Sequence, residues 1–417
     1  MRLKNLGLAV FLSITVSPYT FAGTDPAAAR CSEIADLAAG GGDAAGRTLA
    51  ALLSDPDEAV RACAAQALSG AGEGKNAAAI ESLLSGIEAY GAAGASKGAY
   101  EDNLKARLKV IDSIWALGEI GDPRLMPRLA EFYAGSDDVL KINLLVSMGK
   151  LKGAAKAGPY LAAIAADTRE TEPVRAAAYE MLERINYPAP AAALASPRKP
   201  GIEKGDLIFT GGIVGTISGW VSPDMPVGHS GIFAGTEVKD GRLRVVLADS
   251  VPNVFKPGGV RNIYAWSTFT RDYKFPFYGN RTSKVKPTPA QREAIVKRAL
   301  AMGKRGLKYK LFQKGPTEYD CVNYTEFLYE AAGLNPTPDG YESGAGWPFT
   351  PWEQFEAARP GAQADVSPLK ASPAVRTDFA KNIMPREIDA LARAFGLETP
   401  QGAEIREEIR FEEVSGD

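Results

Sequence analysis

Histidine is all but missing from this chain, with one residue, His229, in 417. Cysteine is nearly as scarce, with three residues, Cys31, Cys63 and Cys321. One histidine, no cysteine pair at ligand spacing and no carboxylate cluster together predict no metal site. No organic cofactor is implied either, because no dinucleotide fingerprint follows a predicted strand. The nearest approach to a phosphate loop, Gly41-Gly42-Asp43-Ala44-Ala45-Gly46-Arg47-Thr48, carries Arg where the loop needs Lys and has no strand before it. Gly228-His229-Ser230-Gly231 lacks the spacing of a serine nucleophile elbow. Excess charge of one sign is absent: 48 Lys and Arg face 50 Asp and Glu, a net charge of −2, which provides no basic field for nucleic acid. Long hydrophobic runs are missing as well. The run from Leu6 to Val16 is too short to span a bilayer, and no later segment qualifies, so no transmembrane segment is expected.

That short run has another reading. Arg2 and Lys4 precede it, and Pro18 and Thr20-Phe21-Ala22 follow it, the pattern of a secretory signal over residues 1–22 cut after Ala22. No cysteine stands at the cut, so a lipid anchor is not expected. The mature chain is expected to be exported, periplasmic or secreted, and soluble. Loss of Arg2 and Lys4 takes the net charge from −2 to −4. In an oxidising compartment Cys31 and Cys63, both in the N-terminal half, could pair, and Cys321 would be left unpaired.

Length predicts more than one domain. Residues 25–188 are rich in Ala and Leu and read as all helix. Ala59 to Leu68 and Pro173 to Leu182 share a V-R-x-x-A-x-x-x-L core, and looser copies run from Leu108 to Gly121 and from Val139 to Gly149. The anchors Leu68, Leu117, Met148 and Leu182 are 49, 31 and 34 residues apart. This resembles HEAT repeats of the short, alanine-rich sort, which implies stacked helical pairs and a long surface for a protein partner. An ordinary helical bundle would carry the same composition. Residues 189–200, with repeated Pro, Ala and Ser, read as a linker. From 201 the composition turns to strands and glycine. Gly205 to Thr210 reads as a turn entering a strand, and His229 to Ala234 and Leu243 to Asp249 read as two further strands, with a hairpin turn at Lys239-Asp240-Gly241. Gln291 to Gly303 reads as an amphipathic helix. The second domain, residues 201–358, is therefore α+β. Trp347, Phe349 and Trp352 lie in an aromatic run that either walls a substrate groove or packs on a core edge. Residues 359–417 form a C-terminal extension with an acidic end.

The stretch from Tyr319 to Gly333 carries the chemistry. Asp320 is an N-cap and Gly333 a stop, so Cys321 falls in the first turn of a helix. There the unpaired backbone N–H groups and the helix dipole favour a thiolate, which a nucleophilic cysteine needs. A small buried core residue is the bland alternative. Asp320 beside the thiol works against the thiolate and is expected to face away from the cleft. Cys321 and His229 together make the minimum kit for Cys–His hydrolysis.

Gly205-Asp206-Leu207-Ile208-Phe209, Gly228-His229-Ser230-Gly231-Ile232 and Tyr319-Asp320-Cys321 at a helix start resemble the NlpC-type papain-like cysteine hydrolases. Here the histidine precedes the cysteine, which is similar to the circularly permuted branch, with its YiiX/YaeF-like proteins and the lecithin retinol acyltransferase group. The resemblance covers about Ile202 to Leu334. It implies a permuted papain-like domain with Cys321 as nucleophile and His229 as general base. It also implies a third polar residue near the end of the strand after the histidine, and the matching position is Asp249. A three-residue hairpin loop would put Asp249 diagonally across from His229, whereas a two-residue loop at Asp240-Gly241 would put Ser250 there. Asp249 is preferred because Leu243, Val245 and Leu247 then share its face. Tyr309 resembles the tyrosine upstream of the cysteine that helps polarise substrate, although Phe312 to Pro316 departs from the family's pattern. The Cys321 backbone N–H is the expected oxyanion donor.

The expected function is hydrolysis of an amide, in cell-wall peptide or a similar molecule, through an acyl-enzyme. A lipid or ester hydrolase or acyltransferase of the same fold is the alternative enzyme. A non-catalytic adaptor that binds a partner through the helical repeats is the alternative class.

Overall fold

The computed structural model describes residues 26–358, apart from 54, 56–57, 71–75, 94–99, 195–199, 212–226, 253–256, 284–285, 311–313, 335 and 337–350. The expected signal segment, the C-terminal extension, Trp347 and Phe349 lie outside the described residues. The molecule has a helical part and an antiparallel sheet part. The helices are α1 (Pro26–Gly40), α2 (Gly42–Leu52), α3 (Glu58–Gly70), α4 (Ala77–Ala93), α5 (Tyr100–Ile120), α6 (Met126–Ala134), α7 (Asp138–Lys150), α8 (Gly158–Ala166) and α9 (Glu172–Arg184). Capping sets some of their starts: the Asp137 side chain accepts from the Val139 and Leu140 N–H groups, each at 3.1 Å, and opens α7. None of the described helices is long and apolar enough to cross a membrane.

The helices pack as a row. α1, α3, α5, α7 and α9 each touch the next, and α2, α4, α6 and α8 lie beside them. The four similar segments of the sequence occupy α3, α5, α7 and α9, successive members of that row. Their anchors Val60, Leu68, Leu117, Met148 and Leu182 are all fully buried. Close approach is needed between neighbours: a Cβ on Gly118 of α5 would lie 2.8 Å from the Ser147 backbone of α7, and Ser147 Oγ donates to the Ile114 carbonyl at 2.7 Å. A disulfide joins Cys31 of α1 to Cys63 of α3 and leaves Cys321 as the free cysteine.

The sheet has five antiparallel strands in the order β4-β3-β2-β1-β5: β1 (Leu207–Thr210), β2 (His229–Lys239), β3 (Arg242–Val251), β4 (Gly259–Ile263) and β5 (Phe277–Arg281). Short α10 (Trp266–Phe269) joins β4 to β5, and α11 (Pro289–Met302), α12 (Cys321–Glu330) and α13 (Pro351–Ala357) follow. α11 starts in a capping box between Thr288 and Gln291. β2 and β3 are joined by a two-residue turn at Asp240 (φ 53°) and Gly241 (φ 71°), with Lys239 opposite Arg242. This corrects the three-residue loop. Even so Asp249, not Ser250, shares the face of His229, because a bulge between Phe233 and Gly235 shifts the register by one. The bulge undoes the flip that the shorter turn imposes.

The two parts share one buried apolar cluster, which runs from Ile34 through the sheet to Ala358. α9 lies on β2 and β3, and α5 and α7 lie against β5. Polar contacts reinforce the join: Asn143 of α7 exchanges hydrogen bonds with the Phe277 N–H (3.0 Å) and carbonyl (2.8 Å). The expected linker is held too, since Arg175 donates to the Ala193 carbonyl at 2.8 Å and the Ala192 N–H to Gly241 at 3.3 Å.

Candidate active site

β2 and β3 place the polar centre. Gly231 stands opposite Asp249, so His229, Gly231 and Asp249 share one face of the pleat, and Ser230 and Ser250 share the other. Across the diagonal, His229 Nε2 and Asp249 Oδ2 are 3.0 Å apart. Arg261 of β4, opposite Asp249 in the register, closes on the carboxylate from the far side, with Nε at 2.8 Å from Oδ1 and Nη2 at 3.2 Å from Oδ2. All three side chains are buried. The Asp249 carboxyl is held at about 2 despite its burial, because Arg261 and His229 both favour the anion. An ionised carboxylate only accepts, so Nε2 carries the imidazole proton and Nδ1 keeps its lone pair. Burial drives the His229 pKa below its ordinary value, Asp249 opposes that, and the charges of Arg271 and Arg261 add to the lowering. The imidazole is therefore neutral at neutral pH, as a base must be.

Cys321 sits where the sequence predicts, in the first turn of α12. The Asp320 carboxylate caps this helix, accepting from the Asn323 N–H at 2.7 Å and from Asn323 Nδ2 at 2.8 Å. Ser250 fixes the helix start to the sheet by donating to the Tyr319 carbonyl at 2.7 Å. The thiol is 4% exposed, and burial pushes it up to about 12, with the Asp320 charge adding to the shift. Backbone N–H groups of Ser230 and Val322 pull the other way and lose. The expectation of a resting thiolate is thus overturned: desolvation outweighs the helix start, and the sulfur rests as a thiol.

The sulfur meets β2 at Ser230, the residue after His229, from the face covered by α12. The imidazole lies on the opposite face, where its ring is 5.3 Å from Phe269 of α10. One peptide unit of β2 separates the two groups. Tyr309 is buried in the stretch laid beside Thr317 to Tyr319, where the Lys308 N–H donates to Thr317 at 3.0 Å and the Tyr319 N–H to Lys308 at 3.1 Å. It flanks the residues that lead into the thiol helix. Of the aromatic run, Trp352 and Phe355 are described, and Phe355 packs on the core against Phe209, with centroids 5.1 Å apart.

A cleft of about 190 Å³ opens beside His229, lined by Val251, Arg261, Ser267, Thr268, Phe269, Arg271 and Asp272. Its wall is the β4–β5 connection. Arg271, Asp272 and Tyr273 stand in the left-handed region at φ 54°, 55° and 62°. Such backbone costs about 1–2 kcal/mol per residue and needs outside support. The helical part supplies it. Glu180 of α9 accepts from the Trp266 and Ser267 N–H groups, both at 2.8 Å. Trp115 of α5 and Lys150 of α7 donate to the Tyr273 carbonyl at 3.2 and 2.6 Å, and Arg184 of α9 pairs with Asp272 at 2.8 Å.

Arg261 and Arg271 escaped the sequence reading. The one signal for Arg261 was a lone basic residue in the short apolar run Gly259-Val260-Arg261-Asn262-Ile263, which needs a buried anion if that run is a strand. No family model, curated protein or solved structure matches this chain.

Proposed function

We propose that the chain is an exported cysteine hydrolase of amide bonds, with a permuted papain-like domain behind a HEAT-like helical row. The observation that carries the reading is the His229–Asp249 pair, a neutral imidazole whose Nε2 is engaged and whose Nδ1 is available, one residue from the Ser230 N–H that the Cys321 sulfur meets. The four similar segments in successive positions of the row support the repeat reading, and the Cys31–Cys63 disulfide supports an oxidising destination.

Since the sulfur rests as a thiol, attack is base-assisted. The step requires the imidazole, on the first residue of β2, to turn past the His229–Ser230 peptide to the sulfur's side; there Nδ1 takes the thiol proton as sulfur bonds to the carbonyl carbon, and the carbonyl electron pair moves to oxygen, towards the Cys321 backbone N–H. Asp249 stabilises the imidazolium so formed. The tetrahedral adduct collapses, the C–N bond breaks, and His229 returns its proton to the leaving amine. Water, deprotonated by the same nitrogen, then cleaves the thioester and Cys321 regains its proton. Tyr309 is assigned to polarising substrate on the family resemblance, and an ester would pass through the same steps.

The test is turnover of a panel of cell-wall peptides, simple peptide amides and acyl esters by the purified protein. Cys321→Ser and His229→Ala should each lose about two to four orders of magnitude in kcat/KM, with little further loss in the double variant. Equal rates in both variants and the parent would end the hydrolase reading. A second reading, a binding protein without turnover, is favoured by the burial of the thiol and by a His229 cleft whose lining does not include Cys321. Resistance of Cys321 to alkylation in the folded protein, with no turnover of any substrate, would select it.

A further inference from the structure

The stretch from Ala294 to Thr317 holds seven Lys and Arg and no Asp or Glu, in a chain with 48 bases and 50 acids overall. Two of the seven are engaged: Lys310 pairs with Glu318 at 3.6 Å, and Lys314 with Glu326 and Glu330. The other five, Lys297, Arg298, Lys304, Arg305 and Lys308, are all exposed, and among the described residues no ion pair holds any of them. Arg298 lies over the half-buried Phe327 ring of α12 at 5.8 Å, a contact that brings no negative charge to it. Glu293, one turn before Lys297, is the one acid in α11.

The five come from two elements. Lys297 and Arg298 stand one turn before the end of α11. Lys304 and Arg305 stand in the turn that closes it, where their N–H groups donate to Ala301 at 3.3 Å and Met302 at 3.0 Å. Lys308 belongs to the stretch laid between β4 and the approach to α12: the Val260 N–H donates to Leu307 at 3.0 Å, and the Lys308 N–H to Thr317 at 3.0 Å. Burial pushes the Tyr319 phenol up, and Arg305 and Arg298 act against it, so both guanidinium charges reach the residue two before Cys321. The positive charge therefore covers one face beside the start of α12. The helix dipole accounts for cations in the last turn of α11 and no further. The fold gains nothing from the rest, since like charges gathered on one face repel each other.

The chemistry of the face selects its partner. The five line neither the His229 cleft nor the small cavity at Trp115, Asn143 and Tyr273. Three of them are lysines, point charges without the fork that selects a single bidentate ligand. Residues 297–308 contain no aromatic side chain on which a nucleic acid base could stack. Positive charge spread over a face matches a plane of negative charge, and about four to eight clustered Lys and Arg suffice to hold a protein at an anionic lipid surface. A chain of net negative charge can be held in this way, because the surface potential acts within a Debye length of roughly 8–10 Å and so on the basic face alone.

We propose that this face docks the chain on a membrane surface rich in anionic lipid, with Lys297, Arg298, Lys304, Arg305 and Lys308 against the headgroups. Docking is peripheral and reversible, and none of the described helices is long and apolar enough to cross the bilayer. It needs no turnover and stands apart from the hydrolase reading.

The full chain is mixed with vesicles of phosphatidylcholine carrying a rising share of phosphatidylglycerol, and the bound fraction is read by sedimentation. Binding should be absent on pure phosphatidylcholine, rise steeply with the anionic share and fall as salt is raised, because salt screens the attraction. Lys304→Gln with Arg305→Gln, and separately Lys297→Gln with Arg298→Gln, should each weaken partitioning about ten- to a hundredfold. Lys105→Gln with Lys109→Gln removes the same charge from exposed positions of α5 and should change partitioning by less than about threefold. No binding to vesicles rich in phosphatidylglycerol at low salt, undiminished binding in the first two pairs, or an equal loss in the α5 pair would overturn the proposal. Displacement by soluble polyphosphate at matched phosphate concentration would overturn it too, by making the face a general polyanion site. Should either of the first two pairs not fold, the other pair decides, together with the salt and lipid dependence of the parent. Cys321→Ser should bind vesicles as the parent does. Vesicle binding without turnover of any substrate would leave the docking face standing and remove the hydrolase, whereas turnover without vesicle binding would do the reverse.

Discussion

Asp249 is withdrawn from water yet ionised, because Arg261 and His229 surround it with donors. Asp112 of α5 is half-buried and has a weaker set of partners, chiefly the Tyr278 hydroxyl at 2.8 Å, and desolvation raises it to about 6. The two oppose each other in the pH dependence of stability. Asp249, depressed to about 2, adds stability that is present above the ordinary carboxylate range and is lost as the pH falls from about 4 to about 2. Asp112 does the opposite: its protonated form suits the fold, and stability drains away as the pH rises from about 4 through about 6. Asp112→Asn keeps an acceptor for Tyr278 and removes the ionisation. It should raise unfolding free energy in urea by on the order of 2 kcal/mol at about pH 7 and by little at about pH 4. Equal changes at both pH values would sink this account. His229 and Cys321 were legible as residues because the chain holds one histidine and one cysteine at a helix start. The protonation state of the thiol was not legible, since it is decided by burial between α12 and β2.

Among the elements, the β2–β3 hairpin shows why register resisted the sequence. Turn chemistry at Asp240-Gly241 gives a two-residue loop, and alternation of Leu243, Val245 and Leu247 gives an inward Asp249. Both hold only because Ala234 is left over between Phe233 and Gly235. Gly235, at φ 127°, carries the bulge, and a Cβ there would also meet Lys204 Cε at 2.6 Å. Gly235→Ala should therefore cost about 1–3 kcal/mol, read as a lower urea midpoint with the far-ultraviolet dichroism of the native state retained. An unchanged midpoint would mean that the bulge has moved elsewhere. The thiol helix, by contrast, was legible at both ends, with Asp320 as its cap and Gly333 left-handed just beyond it. β4 and β5 were not, because they are short and owe their place to partners far along the chain, such as Asn143.

At the scale of the whole molecule, composition changes sharply at 189–200, yet that change marks where regular helix ends rather than where one core stops. Trp266 illustrates the point: its indole lies 6.4 Å from Phe233 in a stacked pair, and its Nε1 donates to Pro173 of α9 at 3.3 Å. A core shared in this way should unfold as a unit. Tryptophan fluorescence, with Trp115 and Trp266 both at the join, should lose its native signal at the same urea concentration as the helical dichroism. Two separated transitions would contradict a common core. The disulfide between α1 and α3 bears on the opposite end of the molecule. A row of helices has two terminal faces, and each exposes apolar surface that a further helix would otherwise cover. The sheet closes the face of α9, whereas the covalent bond rivets the first two members of the row at the other. Reduction of that bond should therefore loosen α1 from α3 while the seat of α9 on the sheet is left intact.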